Sequence, residues 1–166
     1  MNKRLAVAFT GPSNSGKTTL IVKVSEALAN EGKRVAIIKN DPKDKATFDV
    51  EGKDSHKFSQ TGAEVVVTSP QRTTFLSKRH KELDEIIELF NEFDFLLVEG
   101  LKNLPLPRIS IFRNKIDDEY YPYMNALAID ETINIDGEDI PQEIEVLDLN
   151  NTDQIIDWIK NNAKEV

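Results

Sequence analysis

The first forty residues alternate between short apolar runs and a helical pattern. Leu5–Thr10 is an apolar run that ends at a glycine, as in a buried parallel strand. From Thr18 onward apolar side chains recur at helical spacing, and Gly32 provides a stop signal. A second apolar run covers residues 34–39. Strand, glycine loop, helix and strand make one βαβ unit, which predicts a sheet that is at least partly parallel.

The remainder of the chain continues this alternation after a polar interruption. Residues 40–53 predict a surface loop, and Asp54 or Ser55 is expected to cap the short helix that follows. Leu104–Pro107 is expected to be a rigid extended connector, because its prolines fix φ. The later runs predict a two-stranded hairpin, an amphipathic helix, four strands and a final helix, at residues 65–76, 83–90, 93–98, 109–112, 126–129, 144–147 and from 152 onward. Because a typical domain takes roughly 150 residues, the whole chain, 1–166, is expected to form a single domain.

Composition and charge exclude several classes of protein. The chain has no cysteine, which excludes disulfides, a cysteine nucleophile and thiolate metal sites. No run approaches the roughly 18 consecutive apolar residues of a membrane span, so we expect neither a spanning nor a secreted protein. The net charge of −8 argues against a nucleic-acid surface. Residues 33–57 hold seven basic and five acidic side chains, whereas residues 115–166 hold three and fourteen, so the first stretch suits anions better.

The clearest chemical signal is a phosphate loop. Residues 11–18, GPSNSGKT, match G-x-x-x-x-G-K-[ST] between a predicted strand and a predicted helix. Backbone N–H groups of such a loop, and the positive end of the helix, hold phosphate oxygens. Lys17 would reach the β and γ phosphates, Thr18 would bind Mg²⁺ and Thr19 would contact the α phosphate. The predicted nucleotide contacts in this loop are Gly11, Ser13, Asn14, Ser15, Gly16, Lys17, Thr18 and Thr19.

A phosphate loop also needs a carboxylate for Mg²⁺ or its waters. Glu99 ends an apolar strand, which is the Walker B position, and we expect it to share the catalytic role with Lys17. Gly100 would allow close backbone approach to a γ phosphate. Asp41 and Asp54 are further Mg²⁺ candidates, ranked below Glu99. Each carboxylate has an alternative interpretation, as a strand end, a solvated loop charge or a helix cap.

Two aspartates are candidates for recognising the base. Asn114–Asp117 spells N-K-x-D after a predicted strand, and Asp117 in this pattern would accept hydrogen bonds from guanine. Asp130, at the end of the next strand, competes for the role, and a charged loop without any role in binding is the alternative. The remaining basic side chains are candidates for anion contacts or for a solvated face: Lys39, Lys43, Lys45, Lys53 and Lys57 near a pterin or nucleotide, and Arg72, Arg79, Arg108 and Arg113 as an arginine finger. His56 and His80 lack a second ligand at metal spacing.

Three further segments accompany the phosphate loop in order: GKDS at 52–55, TGAE at 61–64 and VEGLKNLPLPRI at 98–109. With them, the chain resembles the MobB family of molybdopterin-guanine dinucleotide biosynthesis adaptor proteins over roughly residues 3–130. The expected fold is a three-layer α/β P-loop nucleoside triphosphatase fold with a mostly parallel sheet and a β-hairpin extension. The resemblance implies a cytoplasmic, homodimeric GTP-binding protein with weak Mg²⁺-dependent GTPase activity. It also implies that the protein assists the guanylyltransferase MobA in joining GMP to molybdopterin, which makes molybdopterin a candidate ligand.

One departure from the family limits what the resemblance implies. Many relatives have a histidine-rich segment where this chain has Lys39–Lys43, so no role of those histidines is carried over. Two other functions also fit a phosphate loop: an ATP-dependent small-molecule kinase or ligase, and a regulatory module in which nucleotide only orders residues 40–53. Fast ATP turnover with a small acceptor would favour the first. A Glu99→Ala variant that loses hydrolysis but keeps partner binding would favour the second.

Overall fold

The computed structural model describes residues 3–166. Within them, nine strands cover Leu5–Thr10 (β1), Val35–Lys39 (β2), Val65–Ser69 (β3), Arg72–Leu76 (β4), Phe95–Glu99 (β5), Arg108–Phe112 (β6), Ala126–Ile129 (β7), Glu145–Asp148 (β8) and Lys164–Glu165 (β9). Four α-helices cover Lys17–Asn30 (α1), Asp54–Gln60 (α2), Leu83–Leu89 (α3) and Thr152–Asn162 (α4). Short 3₁₀ helices cover Asp118–Tyr123 and Ile135–Gly137. No helix in this part of the chain has the length and apolar character needed to cross a bilayer.

The chain divides into two compact units. The first contains the described residues up to Asn40 together with Glu92–Val166, and the second is Asp41–Asn91. The first unit holds the large sheet with α1 and α4, and the second holds α2, the β3–β4 hairpin and α3. The expectation of a single domain remains a prediction.

The large sheet has the strand order β2-β5-β1-β6-β7-β8, with β9 added to β1. All neighbours in the main order are parallel, whereas β9 pairs antiparallel with Leu5 and Ala6 at the start of β1. The central strands β1, β5 and β6 are buried almost throughout, which explains why they are continuous apolar runs rather than alternating ones. The predicted mostly parallel sheet is therefore confirmed.

Alternation along the strands divides the buried side chains between two faces. On one face, α1 and α4 pack against the sheet in a single apolar cluster that includes Val7, Phe9 and Leu97. On the other face, a second cluster contains Phe112 and Leu127, together with side chains from the segments that connect β6, β7 and β8. The carboxyl ends of the parallel strands lie at the edge from which the β1–α1 loop leaves the sheet.

The Asp41–Asn91 unit contains the predicted hairpin. Val66 pairs with Phe75 across β3 and β4, and both side chains are exposed. Arg79 forms a 2.7 Å ion pair with Glu64. Hydrogen bonds to Glu64, first from Arg79 and then from the Ser77 hydroxyl, hold the pKa of this carboxyl at about 2. The β-hairpin extension is confirmed.

Two local expectations are wrong. The N-cap residue of α2 is Lys53, so Asp54 is already helical, and the Ser55 hydroxyl donates to Asp49 instead of capping the helix. Leu104–Pro107 is not an extended connector, because the chain turns at residues 102–103 and bends at 104–106. The amide of Leu106 donates to the carbonyl of Leu104 within this bend.

Candidate functional site

The loop between β1 and α1 has backbone geometry that requires glycine at its first position. Gly11 has φ +137°, and a Cβ atom there would lie 2.3 Å from the carbonyl oxygen of Ile111 in β6. Gly16, the N-cap residue of α1, has φ +98°. The two glycines of the phosphate-loop pattern therefore meet the conformational requirement for which the pattern selects them.

The amino end of α1 is suited to an anion. Within residues 3–166, no side chain caps this end, and its first turn contains no acidic residue. The first N–H groups of a helix lack partners inside the helix and carry its partial positive charge. Thr18 and Thr19 are exposed in the first turn. An uncapped helix end that follows a glycine loop fits a phosphate group.

Lys17 lies across this loop. Its ammonium donates to the carbonyl oxygens of Gly11 at 3.0 Å and Pro12 at 2.7 Å. Partial burial lowers the pKa of Lys17; the charge of nearby Glu99 opposes the effect and Lys39 adds to it. A charged ammonium held by two carbonyl oxygens can exchange them for phosphate oxygens, which form stronger, charge-assisted hydrogen bonds.

Glu99 is the last residue of β5, with β1 on one side and β2 on the other. Its carboxylate accepts a 2.9 Å hydrogen bond from the ammonium of Lys39, the last residue of β2. The Glu99 side chain is 15% exposed and that of Lys39 is 65% exposed, so the lysine can move away at little cost. At the ends of β2 and β5, the carboxyl edge of the sheet thus places the Glu99 carboxylate near two lysines, Lys17 and Lys39.

Gly100 continues the chain after Glu99 in a left-handed conformation, with φ +88°. A Cβ atom here would lie 3.1 Å from the Cβ atom of Asn40. The N–H group of Gly100 donates to the carbonyl of Phe9 at 2.9 Å. That N–H group is therefore part of the sheet in this conformation, and the approach of Gly100 to a γ phosphate stays a prediction.

Two observations test whether these residues fit a magnesium–nucleotide complex. Ser15 is buried, and its hydroxyl has no hydrogen-bond partner within the described residues. No cluster of three His, Asp or Glu side chains in residues 3–166 could hold a metal by itself. A metal bound by Thr18 and Glu99 would need phosphate or water oxygens as further ligands, and Mg²⁺ commonly binds in this way. The residues present fit that group.

The two candidate guanine-reading aspartates lie in different surroundings. Asp117 begins the 3₁₀ helix at Asp118–Tyr123, and its carboxylate accepts from the N–H group of Glu119 at 3.1 Å. The side chain of Asp130 is 4% exposed and pairs with Arg113 at 2.8 Å. Hydrogen bonds from Thr132 first, and then the charge of Arg113, hold the pKa of Asp130 below its usual range.

A network that the sequence did not reveal joins the segments after β6 and β7. The Thr132 hydroxyl donates to Asp130 and accepts from the backbone N–H of Asn114 at 2.8 Å. The Asp130 partner, Arg113, also borders a pocket beside the phosphate loop. The residues that line this pocket are Gly16, Thr19, Leu20, Lys23, Arg113, Leu149 and Asn150. Gly16 and Thr19 belong to the predicted phosphate loop and Arg113 is a candidate finger, but nothing in the sequence indicates that these residues share a pocket.

The remaining candidates have other partners. Asp41 belongs to the Asp41–Asn91 unit, where its carboxylate accepts from the backbone N–H groups of Lys45 and Ala46. His56 lies 3.8 Å from Asp49 in the same unit. The prediction that Arg108 is available as an arginine finger is wrong, because this side chain is 1% exposed and binds backbone carbonyls.

The fold and this loop define the chain as an α/β protein of the P-loop nucleoside triphosphatase type. The chain belongs to the MobB family, described as molybdopterin guanine dinucleotide synthesis protein B, whose model matches residues 6–130. This finding confirms the family that the sequence motifs indicated.

Similar proteins span nearly the whole chain. A molybdopterin-guanine dinucleotide biosynthesis adapter protein of Haemophilus influenzae is 32% identical over 97% of this chain and 91% of its own length. The adapter protein of the same description in Escherichia coli is 29% identical over 92% of this chain and 90% of its own length. The crystal structure of Bacillus subtilis MobB superposes with a TM-score of 0.76 at 23% identity, covering 96% of this chain and 98% of that one, which shows a shared fold.

Proposed function

We propose that this protein is a GTP·Mg²⁺-binding adaptor that assists MobA in attaching GMP to molybdopterin. The observation that carries the proposal is the glycine loop with an uncapped helix end and Lys17, placed beside Glu99, in a chain of the MobB family. The adapter descriptions of the H. influenzae and E. coli relatives support the role. We further propose that the protein acts in the cytoplasm and that its two units together form one GTP-binding domain.

In the proposed mechanism, the residues of the loop exchange internal partners for phosphate. Lys17 leaves the carbonyls of Gly11 and Pro12 and neutralises the phosphates, assisted by the N–H groups of the first turn of α1. Thr18 and Glu99 would hold Mg²⁺ or its waters. Glu99 is paired with Lys39 in the structure, and the exposed lysine can leave this pair at little cost. When bound, the ion would supply positive charge that offsets the negative charge of the phosphate oxygens. Lys39 is then free to approach the nucleotide.

The pocket beside Gly16 and Thr19 is the proposed place for the nucleoside. It opens next to the loop that would hold the phosphates, and Arg113 forms part of its wall. Asp130 supports that wall through its ion pair with Arg113. Asp117 lies four residues after Arg113 in the segment that follows β6. Both aspartates remain candidates for guanine recognition. Replacing each one separately and measuring the preference for GTP over ATP distinguishes them.

Slow hydrolysis and self-association complete the proposal. Burial removes Arg108 from the four candidate arginine fingers, which leaves Arg72, Arg79 and Arg113 for a partner or a second copy. A homodimer is supported by the apolar side chains that the second unit exposes, including Val66 and Phe75 on the hairpin. Covering apolar surface of this kind stabilises an interface.

A reconstituted reaction tests the adaptor role. Purified MobA, molybdopterin and GTP·Mg²⁺ are mixed with and without this protein, and attached GMP is measured by chromatography. We expect the protein to increase the rate of attachment and a Lys17→Ala variant to give no increase, because the variant lacks the phosphate-binding cation. Lys33→Ala is the matched control, since Lys33 is exposed beyond the far end of α1. A Lys17→Ala variant that assists as well as the parent protein would contradict the proposal.

A further inference from the structure

The connection between β5 and β6 is unusually short for a parallel crossover. It spans residues 100–107 and has to pass β1, which lies between the two strands in the sheet. Parallel strands ordinarily need about a dozen or more connecting residues, usually with a helix. This connection contains no helix within the described chain, so its carbonyl groups cannot find partners in helical hydrogen bonds.

Arg108, the first residue of β6, supplies those partners. Its guanidinium donates to the carbonyl oxygen of Gly100 through one terminal nitrogen, at 3.0 Å. The other terminal nitrogen donates to three more carbonyl oxygens, those of Leu101, Lys102 and Leu104, at 3.1, 3.2 and 3.2 Å. The planar fork of arginine is suited to acceptors spread in this way, and a lysine ammonium is not.

The placement of this charge is hard to explain by stability alone. The Arg108 side chain is 1% exposed, and no carboxylate forms an ion pair with it among residues 3–166. A buried charge is costly unless hydrogen bonds satisfy it, and apolar residues of similar volume often serve a fold equally well. Four carbonyl contacts along one loop indicate that the loop has to be held in one conformation.

The loop that Arg108 holds begins at the candidate metal site. Glu99 immediately precedes it, and Gly100 and Leu101 are both left-handed, with φ +88° and +52°. Leucine rarely adopts this conformation, so outside contacts must maintain it. The carbonyls of these two residues are bound by Arg108, while the N–H of Gly100 is bound by Phe9 of β1.

We propose that Arg108 is a positioning residue that fixes the backbone after Glu99 and thereby aims the Glu99 carboxylate at Mg²⁺. Its role toward Mg²⁺ rests on the proposed GTP·Mg²⁺ binding, whereas its hold on the loop does not. Arg108 touches neither the nucleotide nor the metal. Its loss should therefore leave the phosphate loop intact and weaken only the part of nucleotide binding that depends on Mg²⁺.

The test compares Arg108→Met and Arg108→Lys with the parent protein in two measurements. Amide hydrogen exchange is followed at Leu104 and Leu106, whose N–H groups donate to carbonyls within the loop. We expect exchange about tenfold faster in Arg108→Met, with a smaller increase in Arg108→Lys. A fluorescent GTP analogue is titrated with and without Mg²⁺. The ratio of the affinity with Mg²⁺ to the affinity without Mg²⁺ should fall about tenfold in Arg108→Met. The affinity without Mg²⁺ should stay within about twofold of that of the parent.

Arg34→Met is the matched control. Arg34 pairs with Glu92 and Asp94 at the opposite, amino end of the sheet strands, so its loss should affect stability and neither measurement. If Arg108→Met does not fold, Arg108→Lys gives the answer, because one ammonium cannot span four carbonyls. Exchange at the parent rate in a folded Arg108 variant would overturn the inference. If the parent binds no GTP, the proposed function fails, while the exchange rates still decide whether Arg108 holds the loop.

Discussion

Replacing Lys17 with alanine should weaken GTP binding roughly a hundredfold. Hydrogen bonds to charged groups contribute about 1.5–3 kcal/mol each, and the ammonium of Lys17 is expected to contact two phosphates. Among residues 3–166, the hydrogen-bond partners of this ammonium are the carbonyls of Gly11 and Pro12. Losing those two contacts should cost little stability, since partial burial already disfavours the charged form and lowers the pKa of Lys17. Titration of a fluorescent GTP analogue measures the affinity.

A second lysine provides the comparison for this result. Lys33→Ala removes the same charge from the same unit at an exposed position between α1 and β2. GTP affinity should stay within about twofold of the parent, because an exposed charge far from the phosphates is screened by salt. A Lys17→Ala protein that folds and binds GTP like Lys33→Ala would show that the loop does not hold the phosphates.

Replacing Gly11 with alanine should destabilise the protein by about 3 kcal/mol, or prevent it from folding. The new Cβ atom would stand 2.3 Å from the carbonyl oxygen of Ile111, at a backbone φ of +137°. That oxygen belongs to a central strand, so relief requires a shift of β6 against β1. The midpoint of urea unfolding, followed by circular dichroism, measures the change.

A Gly32→Ala variant separates the cost of the steric clash from the cost of the positive backbone φ. Gly32 has φ +77° and nothing within 4 Å of the place where a Cβ atom would stand, so Gly32→Ala tests conformational strain without a clash. We expect Gly32→Ala to lower the free energy of unfolding by about 1 kcal/mol. Equal losses for the two variants would mean that the contact with Ile111 is relieved without cost and that Gly11 serves only its backbone conformation.

The large sheet could be predicted because its strands are buried on both faces. β1 and β7 have the bounds that their apolar runs predict. β5 begins later than predicted, at Phe95, because Phe93 is buried ahead of the strand without joining its ladder. β9 was missed because its two exposed residues, Lys164 and Glu165, carry no apolar pattern. Their pairing with β1 follows from where α4 ends and not from local propensity.

The candidate site could be predicted where a contiguous pattern or the end of an apolar strand marks it, as for the phosphate loop and Glu99. The phosphate loop is one contiguous segment, so its sequence pattern contains all the loop residues that would bind the phosphates. The Lys39–Glu99 and Arg113–Asp130 pairs join residues from different strands, and nothing local indicates them. The prediction for Arg108 shows this limit of sequence analysis most clearly. Its charge suggested an exposed arginine finger, whereas the side chain is buried. Its burial depends on the strand order, which places β1 between β5 and β6, and the apolar runs did not indicate that order.

The central claim is that this chain binds GTP in preference to ATP at the phosphate loop. Titration calorimetry with each nucleotide and Mg²⁺ tests it directly, using the parent protein and the Asp117→Ala and Asp130→Ala variants. We predict tighter binding of GTP by the parent, with the preference lost in one variant while that variant still binds nucleotide. Equal or tighter binding of ATP by the parent would contradict the claim and favour a small-molecule kinase or ligase instead.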